Sequence, residues 1–121
     1  MRDIKFRAFH KETKEMYGIR RIDFSVNEVV VDKLLKEWGY PCVNMQKIEI
    51  MQYTGRKDSE GKEIYEGDIL QNEHHFKYQV VFKGDCWRCE PLKRNGFKNR
   101  FIGSDLKIIG NIYENKDLLE D

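Results

Sequence analysis

The sequence predicts a mainly β fold, a small antiparallel β-barrel or pseudo-barrel carrying one or two short helices. Three observations lead there. Apolar residues recur in short segments with a period of two, glycine-bearing turns separate these segments at short spacing, and one stretch alone has a clear helical period. Closure into a barrel is expected because it is how a small antiparallel sheet protects its edges.

The elements follow in chain order. Residues 4 to 9 alternate as a first strand, with Ile4, Phe6 and Ala8 on one side and Lys5, Arg7 and Phe9 on the other, before a lysine- and glutamate-rich turn. Met16-Tyr17-Gly18-Ile19 begins a hairpin partner, Ile22-Asp23-Phe24 is ambiguous, and Asn27 to Val31 is a β-branched run that suits a third strand. Val31, Leu34, Leu35 and Trp38 fall at i, i+3, i+4 and i+7, and Gly39 and Pro41 follow as stop signals, so a short amphipathic helix is expected over 31–38. Residues 48 to 70 read as strand, charged loop, strand. Ile48 and Ile50 alternate with charged residues, Gly55 and Gly61 bracket the loop, and Gly67-Asp68 turns the chain before Ile69-Leu70. Tyr78 to Lys83 and Trp87 to Glu90 form a hairpin about Gly84-Asp85. Phe101-Ile102 and Leu106 to Tyr113 supply two late strands, and Asn115 is a candidate cap for a last helical turn.

With 121 residues and no linker, repeat or low-complexity tract, residues 1–121 are expected to form one domain around one core. Lys and Arg number 22 against 21 Asp and Glu, so no whole-molecule field points to nucleic acid and any such case rests on local patches. No apolar run approaches the roughly 18 residues of a membrane span, and the first residues are charged. A cytoplasmic protein without a membrane partner is therefore expected. An odd set of three cysteines fits a reducing compartment and free thiols.

Several constellations could carry chemistry. Asp58, Glu60, Glu63, Glu66 and Asp68 crowd one loop and offer oxygens for a divalent metal, and Glu60-Gly-Lys62 matches the E-x-K end of a restriction-type nuclease motif. Arg56, Lys57 and Lys62 are interleaved with them, and such a motif needs adjacent rigid strands rather than a loop that turns at Asp58 and Gly61. Cys86 and Cys89 have CxxC spacing with His74-His75 nearby, yet no second CxxC exists and residues 86 and 89 of a regular strand face opposite ways. A redox pair would need a helix after it, and none is patterned there. No nucleophile elbow, phosphate loop or H-E-x-x-H is present, and His10, after the first strand, reads as a surface residue. Neither an enzyme nor a cofactor or metal site is expected.

The segment from Lys77 to Phe101 has the best claim to a partner. It holds Lys77, Lys83, Arg88, Lys93, Arg94, Lys98 and Arg100 against Asp85 and Glu90, a local +5, with Trp87, Phe97 and Phe101 interleaved. Basic chains that track phosphates beside aromatics that stack on bases are the equipment of single-stranded nucleic-acid grooves. The competing reading, core aromatics beneath a solvated basic face, is preferred because the overall charge is balanced.

The wording of residues 51–69, MQYTG, KD and GKEIYEGDI, resembles the signature of the YopX family. Lys5-Phe6-Arg7-Ala8-Phe9 is similar to that family's opening phrase and Ile108-Ile109-Gly110-Asn111-Ile112-Tyr113-Glu114-Asn115 to its ending, with Phe9 where Trp is usual and Arg56 where Leu is usual. The resemblance implies a bacteriophage or prophage origin and a mostly β fold, with no established activity. Gly55, Gly61, Tyr65, Gly67 and Asp68 then read as the structural signature of the fold. The functional expectation is a non-enzymatic binding or assembly module for another protein or for itself. A nucleic-acid module using Lys93, Arg94, Phe97, Lys98 and Arg100 is the alternative, and a metal-dependent enzyme is a distant third.

Overall fold

The structure is a computed structural model that describes residues 3–32, 42–92 and 98–119. Tertiary contacts divide the chain into two compact units, Ile4–Gln52 and Tyr53–Asp121, the latter together with Met1–Asp3.

In the Ile4–Gln52 unit, strands β1 (Phe6–His10), β2 (Met16–Asp23), β3 (Glu28–Val31), β4 (Cys42–Asn44) and the first half of β5 (Ile48–Lys57) pair antiparallel in the order β4-β3-β2-β1-β5. Ala8 sits opposite Tyr17 on one side and Ile50 on the other, so β1 is central. Ala8, Tyr17, Val29, Val31, Val43 and Ile48 form the core, and partly buried Ile19, Ile22, Met45 and Ile50 pack on it. Phe9 is also buried, so the end of β1 is covered on both faces, whereas Ile4 lies before the strand and is exposed. The ambiguous Ile22-Asp23 closes β2. Strand β4 was not anticipated, being three residues long and too short to show a period. A 3-10 turn at Met45–Lys47 follows it, capped by Asn44, whose Oδ1 accepts from the Gln46 N–H at 2.8 Å. Of the expected helix over 31–38, Val31 belongs to β3 and residues 33–38 lie outside the described residues.

In the Tyr53–Asp121 unit the second half of β5 pairs with β6 (Glu63–Tyr65). Strands β7 (Asp68–Gln71), β8 (Lys77–Lys83), β9 (Cys86–Pro91) and β10 (Lys107–Asn111) form a second antiparallel sheet in the order β10-β7-β8-β9. Its core is Ile64, Leu70, Tyr78, Val80, Cys89, Ile102 and Leu106. This cluster and that of the Ile4–Gln52 unit share no residue, and Phe9, Met51, Tyr53 and Ile69 are buried outside both.

Two expectations about this unit are corrected. Phe101-Ile102 is not a strand; Arg100 alone makes a two-bond bridge with Cys89, Ile102 turns into the core and Phe101 faces solvent. Asn115 does not cap the 3-10 turn at Lys116–Leu119 with its side chain, which bonds back to the Asn111 N–H at 3.1 Å.

The mainly β class is what the strands form, but the sheets are not closed into a barrel. Their ends are managed locally instead. Asp58 Oδ2 accepts the Ile108 N–H of β10 at 3.0 Å, Asp68 Oδ2 accepts the Tyr65 N–H of β6 at 2.7 Å, Arg100 engages the middle of β9, and β4 is very short. Edges occupied or shortened in this way no longer need closure for protection. Among the described residues, no helix is long and apolar enough to cross a membrane.

Candidate functional site

The carboxylate-rich loop is built around Asp58, which is buried. Its Oδ1 accepts the Glu60 and Lys62 N–H groups at 2.9 and 2.8 Å, and its Oδ2 accepts from Ile108, fifty residues away. Burial alone would push this carboxyl up. The three amides, led by that of Ile108, and the nearby Lys62 charge outweigh it and hold the group below the ordinary carboxylate range. Both oxygens are thereby turned toward backbone amides. Glu60 is paired with Lys107 at 2.9 Å, and Asp68 is buried with Oδ2 on the Tyr65 amide. Among the described residues, no three His, Cys, Asp or Glu side chains converge on a metal-sized site. Gly55, Gly61 and Gly67 all adopt positive φ, near 86°, 83° and 87°, and Tyr65 packs its ring 5.6 Å from that of Tyr53. These residues bend and anchor the strand-loop-strand.

Cys89 lies fully within the core, and burial pushes its thiol up to about 11, Arg100 lowering it and Asp105 raising it by less. A thiol in this environment is a small core hydrophobe rather than a nucleophile or ligand. Cys86 is partly exposed, with its sulfur 3.7 Å from the Lys83 carbonyl. His74 and His75 belong to an exposed turn organised by Asn72, whose Oδ1 accepts the His74 and Phe76 amides at 3.0 and 2.9 Å.

The surface assignment of His10 is overturned. Its side chain is fully buried, and Nδ1 accepts the Glu12 and Thr13 N–H groups at 3.2 Å each. An Nδ1 facing two donors carries the lone pair, so the ring proton belongs on Nε2. By alternation His10 continues the Phe6 and Ala8 face inward, and the ring caps the turn that follows.

The basic and aromatic segment divides into committed and available residues. Arg100 is committed: its guanidinium makes a two-point contact with Asp105 at 3.1 and 2.7 Å and lies 5.8 Å from the Tyr78 ring centre. Hydrogen bonding to Asp105 raises its pKa above the ordinary arginine value. A Cβ on Gly103 would come within 2.5 Å of both side-chain ends, so a larger residue there would displace this pair. Lys83 is paired with Glu90. Lys98 is exposed, and Lys93, Arg94 and Phe97 lie outside the described residues. Phe101 is 66% exposed, with the Arg88 guanidinium 5.3 Å from its ring centre. Trp87 is half-buried against the core and meets Phe82 edge-on at 4.9 Å. Phe82 itself is 54% exposed. It continues the inward alternation of Tyr78 and Val80, a pattern that reads as core until the position of the hairpin end is known.

A model of the YopX protein family matches residues 5–120. The chain belongs to the YopX family. Among solved structures it is similar to the crystal structure of protein EF1440 from Enterococcus faecalis, at 24% identity over 98% of this chain and 99% of that one, with a TM-score of 0.72, which is a likeness of fold. No curated protein matches. In this YopX-family chain the two positions that depart from the usual wording both make tertiary contacts. Phe9 is buried, and Arg56 donates a guanidinium N–H to the Ile102 carbonyl at 3.1 Å.

Proposed function

We propose that this YopX-family chain is a phage- or prophage-encoded, cytoplasmic accessory protein that acts as a non-enzymatic binding module, and that it binds a second copy of itself through the outer end of the β8–β9 hairpin. The observation that carries the reading is the Phe82–Trp87 pair. Phe82 lies opposite Trp87, on the same face as the buried pair Val80–Cys89 and as buried Tyr78, so the apolar face of the sheet runs past the end of its core into solvent. Aromatic anchors of this kind dominate interface energetics. Pairing through strand edges is a poorer route, because the edges are shortened or engaged. With 22 basic residues against 21 acidic ones, two copies meet without long-range repulsion, a condition that favours self-association.

Sedimentation velocity across a concentration series tests this. The wild-type protein is expected to associate reversibly, and the double substitution Phe82→Ser, Trp87→Ser to remain monomeric with an unchanged far-ultraviolet circular dichroism spectrum. A strictly monomeric wild-type protein at high concentration overturns the reading.

A further inference from the structure

Phe101 and Arg88 occupy a place that self-association through Phe82 and Trp87 does not explain. A lone exposed phenylalanine is common on protein surfaces. This one is held from both sides. The preceding residue, Arg100, exchanges backbone hydrogen bonds with Cys89 at 2.7 and 3.0 Å, is clamped to Asp105, and donates from Nε to the Phe101 carbonyl at 3.2 Å. The following residue, Ile102, is buried in the core, and its carbonyl accepts from Arg56. The ring therefore stands on a fixed backbone while 66% exposed, and ordering it on binding costs little entropy.

Its surroundings are cationic. The Arg88 guanidinium lies 5.3 Å from the ring centre, with Nε directed to the Lys83 carbonyl, and Lys98 is exposed three residues before Phe101. Of the acidic residues of this region, Asp105 is occupied by Arg100 and Glu90 by Lys83. A flat apolar ring beside cations that have no acidic partner among the described residues complements a ligand that is itself a flat ring tied to an anion. We propose that Phe101 and Arg88 form a stacking platform for single-stranded nucleic acid, a base lying on the Phe101 ring and the adjoining phosphates meeting Arg88 and Lys98. Arg100 is the positioning residue that holds the platform rather than a phosphate contact. Stacking and phosphate contacts carry no base code, so recognition is independent of sequence.

Fluorescence anisotropy with a labelled oligothymidylate and a mixed-sequence RNA, each of about 12 nucleotides, tests the platform. Wild-type protein binds both, and raising salt from about 50 to about 200 mM weakens binding. Phe101→Ala weakens binding about tenfold, the loss of one stacked base, and Phe101→Trp restores it. Arg88→Gln flattens the salt dependence by roughly 0.7 in log–log slope, one phosphate contact on a single strand. The Phe82→Ser, Trp87→Ser double substitution leaves oligonucleotide affinity unchanged, which separates this site from the self-association surface. Three results overturn the proposal: no wild-type binding at low salt, equal binding by folded Phe101→Ala, or a Phe101→Ala defect confined to self-association, which would assign the ring to a protein contact.

Discussion

Asp58 ties the signature loop to β10 with one carboxylate. Three backbone N–H groups converge on it, and a buried amide left without an acceptor costs about 1–3 kcal/mol. Asp58→Ala is therefore expected to lower stability by about 3 kcal/mol in chemical denaturation. Asp58→Asn should also destabilise, because an amide has one acceptor oxygen and turns an NH2 toward donors on its other side. The pH dependence has a definite sign. The carboxyl pKa is lower folded than unfolded, so its contribution is fully present above the unfolded value near 4 and is lost as pH falls through the folded value. Between about pH 5 and about pH 2, wild-type stability should fall more steeply than that of Asp58→Asn; parallel profiles would remove the carboxylate from the account. His10 makes a second case of the same kind. Its Nδ1 serves two amides of the β1–β2 turn, so His10→Ala should cost about 2 kcal/mol. His10→Phe should cost a similar amount although it fills the space, since what is lost is the acceptor. Thermal melts of the two variants check this, and a stable Phe variant would show that the ring acts by packing alone.

At the scale of elements, the β8–β9 hairpin shows what a short local pattern can specify. Lys83 pairs with Cys86 across two residues, Gly84 and Asp85, whose φ values of 59° and 69° are both positive. This is the requirement of the tight turn that matches the right-handed twist of the strands. Asp tolerates the left-handed region through its short polar side chain, whereas a β-branched residue does not. Asp85→Gly should leave stability within about 1 kcal/mol of wild type and Asp85→Val should lower it by about 2 kcal/mol, read from denaturant midpoints. Alternation and turn glycines likewise made β1, β2, β5, β7 and β10 legible in the sequence, and a β-branched run made β3 legible. What escaped was set by distant or very short features. Strand β4 has too few residues for a period, and the edge of β10 is engaged by Asp58 from fifty residues before Ile108, a contact with no local trace. His10 was misplaced because it ends a strand beside a charged turn, where polarity and alternation disagree. In the candidate site, Asp105 stood five residues after Arg100 and could have been read as its partner. The exposure of Phe82 and Phe101 could not, because an aromatic in an apolar rhythm looks the same whether the core ends before it or after it.

At the scale of the whole chain, the YopX family match runs continuously from residue 5 to residue 120, while the core cluster that holds Val29 and the one that holds Leu70 share no residue. Val29, fully buried, belongs to the cluster of the Ile4–Gln52 unit, and Leu70, also fully buried, to that of the Tyr53–Asp121 unit. Truncating a buried aliphatic side chain removes its transfer free energy and leaves a cavity whose lining loses contacts. Leu70→Ala should thus cost about 3 kcal/mol and Val29→Ala about 2 kcal/mol. Where the cost appears is the more informative measurement. Opening is governed by the local density of buried contacts, so each cavity should be felt first by the strands that line it. Native-state hydrogen exchange of Val29→Ala should speed the amides of β2 and β3 and spare β7 and β8, and Leu70→Ala should do the reverse. Acceleration spread evenly over all strands in both variants would mean that the two clusters open as one cooperative unit, and the division of the core would then be geometric without being energetic.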